Sequence, residues 1–330
     1  MRRAGFGAAG YPFPFSCGHR ICVARHWPWG TLAIARPLTF TSYASPWEAA
    51  PRPAPPGTTL LAVGDVHGHL AHLDALLAAL RPVADAARER GDALHLVLIG
   101  DYIDRGPASL AVLDRVALLE EAWGPGLHAL MGNHDELLLR LLTRPRDVLL
   151  RDWRRKGGDT VLRELGVAKG ELWLRSARSA AALLRERLGP DRLHLLRRLA
   201  PAWRYGDWVF VHAGIDPRRP LEEQRPESWL TLREPFLTGR VWPHDFAVVH
   251  GHTVRGPELL PHRIAIDSGV YRTGVLTAVE ITGDLLRFVC VTHRKDLAAL
   301  QALPSAPQER QFTPIAPELQ PELPDKVTER

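Results

Sequence analysis

Three short segments in the first half of the chain each end an apolar run with carboxylates and histidines: Gly64-Asp65-Val66-His67-Gly68-His69, Gly100-Asp101-Tyr102-Ile103-Asp104-Arg105-Gly106 and Gly132-Asn133-His134-Asp135. Each repeats one local design. An apolar strand (Leu60–Val63, Leu94–Ile99, His128–Met131) meets a glycine where the chain must bend, then polar side chains, then a helix-like stretch. Three strand ends of one kind converge on one site, because the carboxyl edge of an open α/β sheet is where loops gather around ligands.

From Thr58 the pattern alternates between strand and helix: Leu60–Val63 then Leu70–Leu80, Leu94–Ile99 then Ser109–Glu121, Leu127–Met131 then Glu136–Leu142. The alternation predicts βαβ units and a largely parallel sheet. Residues 144–200 break the pattern with Arg- and Leu-rich helical periodicity, entered through Trp153, Gly157-Gly158 and Thr160, and read as a helical insertion over or beside the site. Strands resume at Trp208–His212, Phe246–His250 and Ile264–Asp267. Val275–Ile281 and Leu285–Val291, parted by Thr282-Gly283-Asp284, form an expected hairpin.

With 330 residues the chain can bury one large core, and one catalytic domain over 58–300 is expected between ragged ends. Residues 1–57 close on Ala50-Pro51-Arg52-Pro53-Ala54-Pro55-Pro56-Gly57 and are expected to be a disordered extension or a start codon placed too early. The Pro-rich residues 301–330 are expected to be a disordered tail. Cys17-Gly-His19 with Cys22 and His26 resembles half a zinc site but lacks a second pair downstream. Three cysteines give no disulfide framework, so a reducing, cytoplasmic location is expected. The net charge of +5 is no sign of a nucleic-acid partner: residues 1–56 carry six arginines against Glu48 alone, which leaves the remainder formally neutral. No apolar run reaches the 18 residues of a membrane span, so neither membrane nor nucleic acid is an expected partner.

Asp65 and His67 stand two apart after a strand, and in extended chain such positions point the same way, so both can meet one cation. Asp101 follows the second strand as Asp65 follows the first, and a carboxylate between two cations can bridge them. Asn133, His212 after Trp208–Val211 and His252 after Val248–His250 complete a second set. Any one of these, taken alone, is an ordinary turn or helix cap. Five segments in order, each at the same end of an expected strand, are not.

The motifs G-D-x-H-G, G-D-x-x-D-R-G, G-N-H-D, Val211-His212-Ala213-Gly214 and Gly251-His252-Thr253 resemble the phosphoprotein phosphatase branch of the calcineurin-like metallophosphoesterases over about residues 59–291. Trp229-x-x-x-Arg233-Glu234-x-Phe236 and Ile266-Asp267-Ser268-Gly269-Val270-Tyr271 are most similar to bacterial serine/threonine phosphatases. The resemblance implies an α/β fold, a four-layer α-β-β-α sandwich of two mixed sheets with flanking helices. It also implies two divalent ions, Mn²⁺ or an Fe or Zn type. Asp65, His67 and Asp101 would hold the first, and Asp101, Asn133, His212 and His252 the second. The implied activity is that of a metal-dependent phosphoric monoester hydrolase, a serine/threonine protein phosphatase working by in-line attack of a metal-bridging hydroxide. His134 would protonate the leaving group, with Asp104 orienting it. Arg105 would clamp phosphoryl oxygens, with Arg233 as a second clamp, and Tyr271 would line the pocket.

His69, His72, His95, His128, His244, His250 and His262 are left outside the ligand set; His250, two residues before His252, is read as a hydrogen-bonded buried histidine. The expected partner of a monomeric enzyme is a phosphorylated protein or a small phosphoester. The alternative substrate is a dinucleoside polyphosphate such as diadenosine tetraphosphate, because relatives of that activity share the metal motifs but typically carry Ala where Asp104 stands. A metal-binding scaffold without activity would show losses among the ligands or the His134–Asp104 pair, and none is present.

Overall fold

The computed structural model describes residues 39–167, 176–239 and 241–293, with the backbone of 310–312. Its elements run β1 (Phe40–Ala44), β2 (Glu48–Ala49), β3 (Thr58–Val63), α1 (Leu70–Arg90), β4 (Ala93–Leu98), α2 (Ser109–Trp123), β5 (Leu127–Ala129) and α3 (Asn133–Thr143). Next come the helices of the insertion, α4 (Asp147–Trp153), α5 (Asp159–Glu164), α6 (Ala177–Leu188) and α7 (Pro190–Arg198). The chain continues through β6 (Ala202–Tyr205), β7 (Trp208–Val211), α8 (Pro226–Thr231), β8 (Ala247–His250), β9 (Glu258–Leu260) and β10 (Arg263–Ala265). It closes with α9 (Val270–Thr273), β11 (Val275–Thr282), β12 (Leu285–His293) and β13 (Arg310–Phe312).

Two mixed sheets face each other. The first has the order β13-β1-β12-β11-β3-β4-β5, with β2 also on β12; the second has the order β6-β7-β8-β10-β9. In β3 the run Thr-Thr-Leu-Leu-Ala-Val is buried throughout because both of its faces are covered. Leu61 and Val63 pack with Leu73, Leu76 and Leu80 of α1, whereas Leu60 and Ala62 join Phe210 and Val249 of the second sheet. Each such fully buried leucine contributes about 2 kcal/mol. Helices α2, α3, α6 and α7 extend the layer outside the first sheet. The outer face of the second sheet is covered thinly, by Ile215, Phe236, Leu237 and Phe246, beside the short α8. The result is the α/β sandwich of two mixed sheets with flanking helices.

The largely parallel sheet expected from the βαβ alternation is corrected by the pairing. In the first sheet only β3, β4 and β5 are parallel, and β11, β12 and β1 run antiparallel. In the second sheet β7, β8 and β10 are parallel. The boundary expected at residue 57 lies too late, since β1 pairs with β12 from Phe40↔His293 to Ala44↔Val289 and Phe40 is fully buried. Likewise residues 310–312 of the expected tail pair with β1. The Cys17–His26 cluster lies outside the described residues. No helix among the described residues is long and apolar enough to cross a membrane.

Candidate metal centre

Both parallel sets of strands deliver polar side chains at their carboxyl ends. Asp65 and His67 follow β3, Asp101, Asp104 and Arg105 follow β4, Asn133 and His134 open α3 after β5, His212 follows β7, and His252 follows β8. The backbones meet so closely that a Cβ on Gly132 would stand 2.1 Å from the Asp101 nitrogen, and one on Gly251 would stand 2.1 Å from Asp65 Oδ1. That contact accounts for the glycines of Gly-Asn-His and Gly-His-Thr. The turns are tight enough to push His67, Asp101, Asp104, Arg105 and His252 to positive φ, from 42° to 70°, at a cost of order 1 kcal/mol or more each.

Asp101 is the hub. Its Oδ2 lies 3.5 Å from His67 Nε2, 3.9 Å from His134 Nε2 and 3.5 Å from His212 Nε2, while Oδ1 accepts the His134 amide at 2.9 Å. Burial alone would raise its carboxyl; His212, His134 and His67 outweigh that and hold it well below the usual range. Two groups able to hold a cation share it: His67, Asp101 and His134, and Asp101, His212 and His252. Asn133 Oδ1 sits between His212 Nε2 at 3.0 Å and His252 Nδ1 at 2.8 Å. Asp65 is drawn to the His252 amide at 3.2 Å, so the first of these groups contains His134 where the sequence suggested Asp65.

His134 Nδ1 is 2.7 Å from Asp104 Oδ2, which leaves Nε2 turned toward the centre. Asp104 is wholly buried, and its second oxygen accepts the Trp153 indole N–H at 3.0 Å. Burial raises its carboxyl, and the hydrogen bond to His134 pulls the other way. Arg105 places one guanidinium nitrogen 2.9 Å from His67 Nε2 and another 2.9 Å from His134 Nε2, beneath the Tyr271 ring at 4.2 Å. Arg233 is exposed and donates to Thr253 Oγ1 at 3.3 Å, one residue beyond His252.

The calcineurin-like phosphoesterase family matches over residues 58–260. This chain belongs to that family. It is 29% identical over 286 residues to a symmetrical bis(5'-nucleosyl)-tetraphosphatase of Janthinobacterium sp. (strain Marseille), covering 72% of this chain and 98% of that protein. A serine/threonine-protein phosphatase 1 of Salmonella typhimurium is 37% identical over 99 residues, covering 29% of this chain and 38% of that one. Among solved structures, a putative diadenosine tetraphosphatase aligns with a TM-score of 0.47 at 25% identity, over 72% of this chain and 95% of that one.

The donor set fits the two cations on which the family depends. His67 Nδ1 lies 2.9 Å from the Ile103 carbonyl and His212 Nδ1 lies 3.0 Å from that of Ile99, so the neutral rings donate there and turn lone pairs inward. Burial holds both rings neutral, with His67 lowered to about 3. His212 Nε2 then faces Asn133 Oδ1 with no proton between two lone pairs, as the amide is oriented. The Arg105 fork stands where a cation is accepted by two ring nitrogens. Burial raises Asp65 well above the carboxylate range, and the charges of Asp267 and Asp101 raise it further. Crowded carboxylates around neutral imidazoles are a site short of positive charge.

Asp267, after β10, is an acid that the sequence places in a motif of resemblance without giving it a role. It is buried, accepts the Gly269 amide at 2.8 Å, and is raised by burial to about 6. Its place after a third parallel strand of the second sheet is the signal that sets this acid beside the centre. The other histidines find structural partners: His95 Nδ1 lies 3.1 Å from His128 Nε2, His128 stacks on Trp203, and buried His250 pairs with the Gly251 carbonyl and Arg263.

Proposed function

We propose that this chain is a two-metal phosphoesterase acting on dinucleoside tetraphosphates. The observation that carries this choice is a pocket of about 450 Å³ lined by Arg218, Arg219, Arg225 and Arg233 with Asp216 and Glu227. Arg233 ties it to the centre through Thr253, and its charge reaches His252. A chain of four phosphates is longer than the metal centre, and planar guanidinium forks suit its remaining oxygens. The tetraphosphatase relative that the chain matches over nearly that protein's whole length supports the same reading.

Asp65, His67 and Asp101 would hold one divalent ion and Asp101, Asn133, His212 and His252 the other, Mn²⁺ being the proposed metal. Such ions neutralise phosphate charge and lower the pKa of water to near neutrality. The protein's own groups do the rest. Arg105 engages phosphoryl oxygens when its fork leaves the two imidazoles, and Tyr271 keeps it in place by stacking. Asp104 holds His134 Nδ1–H, so that a proton carried at Nε2 can be handed to the departing oxygen.

A second reading, hydrolysis of phosphoserine or phosphothreonine, is favoured by that same Asp104–His134 pair at 2.7 Å. An alkoxide is a poor leaving group that depends on a proton far more than a nucleoside diphosphate does. A Mn²⁺-supplemented panel of diadenosine tetraphosphate, a phosphothreonine peptide and a phosphotyrosine peptide separates the readings. The tetraphosphate is expected to give the highest kcat/KM, and a clear preference for the phosphothreonine peptide would replace the first reading with the second.

A further inference from the structure

We propose that Trp153 is a positioning residue for the leaving-group acid, carried into the site by the helical insertion. The proposal rests on His134 acting as that acid. Trp153 is the last residue of α4 and is fully buried. Its indole N–H reaches Asp104 Oδ1 at 3.0 Å, while Oδ2 of the same carboxylate receives His134 Nδ1 at 2.7 Å. A carboxylate with a separate donor on each oxygen cannot rotate about its Cβ–Cγ bond without losing one of them. Fixing Asp104 therefore fixes the imidazole plane and the direction of Nε2. An indole is suited to this because it donates one hydrogen bond and carries no charge. A cation in its place would cancel the carboxylate on which the imidazole depends.

The rest of the segment is built around the same contact. Gly157 takes φ 118° and its carbonyl accepts the Arg105 amide at 3.3 Å; a Cβ there would stand 2.8 Å from Arg105 Cγ. A Cβ on Gly158 would stand 2.4 Å from Trp153 Cε2. Glu164 accepts the Ser109 and Leu110 amides at 2.8 and 2.9 Å, and Ser109 Oγ accepts the Asp104 amide at 3.2 Å. Residues 153–164 thus grip 104–110. The Trp153, Gly157-Gly158 cluster, which no part of the hydrolysis itself requires, acquires a role.

The test compares W153F, H134N and the double variant on phenyl phosphate, a poor leaving group, and p-nitrophenyl phosphate, a good one, with bound metal counted in each protein. H134N is expected to lower kcat on phenyl phosphate by about 10²-fold or more. W153F is expected to lower it about tenfold with KM within about twofold, to change p-nitrophenyl phosphate turnover less than about twofold, and to keep both metal equivalents. Added to H134N, W153F is expected to cost nothing further, since it acts through that ring. Equal losses on the two substrates, or losses that multiply in the double variant, overturn the proposal. Equal losses in H134N itself instead overturn the acid assignment on which it rests. Should W153F fail to fold, G158A displaces the same indole and faces the same two criteria.

Discussion

The metal centre and the arginine-lined pocket lie side by side yet are built on opposite lines. At the centre nearly every side chain is buried and held by a hydrogen bond from a neighbouring strand end, as Ile99 and Ile103 hold His212 and His67. In the pocket the groups stand on the chain around α8, where Arg218 and Arg225 are exposed and Arg218 makes a two-pronged pair with Asp216. Asp216 is buried but the guanidinium side of the pair is exposed, so Arg218 can turn from the carboxylate to a ligand oxygen. On the proposed function the contrast amounts to a division of labour: the rigid region would hydrolyse phosphate esters, and the open one would choose among them.

Asp101→Asn tests the rigid side most severely. It should lower activity at least about 10²–10³-fold on every substrate, with metal analysis showing loss from both sites. Two tightly retained equivalents would remove Asp101 from its bridging position.

Truncation probes the support common to both regions. Removing residues 1–38 should leave the melting temperature and activity intact, while removing 1–56 deletes β1 and should destabilise the fold by about 3–5 kcal/mol or more, the scale of losing one buried phenylalanine. Thermal melts read the loss directly. A change in the ratio between substrates, rather than in stability, would break the division drawn above.

Arg225→Ala addresses the open side. The ratio of kcat/KM for diadenosine tetraphosphate to that for p-nitrophenyl phosphate should fall about tenfold, the scale of one charged hydrogen bond; an unchanged ratio would take the pocket out of substrate choice. Smallest is the effect of salt. Raising ionic strength should lift KM for the tetraphosphate about two- to threefold through screening of exposed arginines while kcat holds, and an equal effect on both constants would place the screened charges at the buried centre.

Where one strand end and its loop carry a motif within a few residues, the sequence is legible. Asp65, His67, Asp101, Asp104, Asn133 and His134 each follow an apolar run directly, and the structure gathers them, with Asp65 turned toward the His252 amide. His212 and His252 were also legible, as single histidines at the ends of Trp208–Val211 and Val248–His250. The Trp153–Asp104 bond was not, because 49 residues separate its partners and no periodicity links them. Nor was β1, whose five residues gain their meaning only from β12, some 250 positions later. The mixed sheet escaped for a related reason. Alternation of strand and helix fixes the neighbours β3, β4 and β5, but the antiparallel half is assembled from the two chain ends, and end-to-end pairing leaves no local trace.

The five left-handed residues at the centre carry a consequence for how such a protein can change. At His67, Asp101, Asp104, Arg105 and His252 glycine would relieve the backbone, and each of these side chains is one the proposed chemistry uses. Selection for heat resistance with no demand for turnover should therefore drift these positions toward glycine or asparagine first, yielding hardier proteins that bind no metal. Lineages that have abandoned hydrolysis would be marked by that drift before any loss in the core.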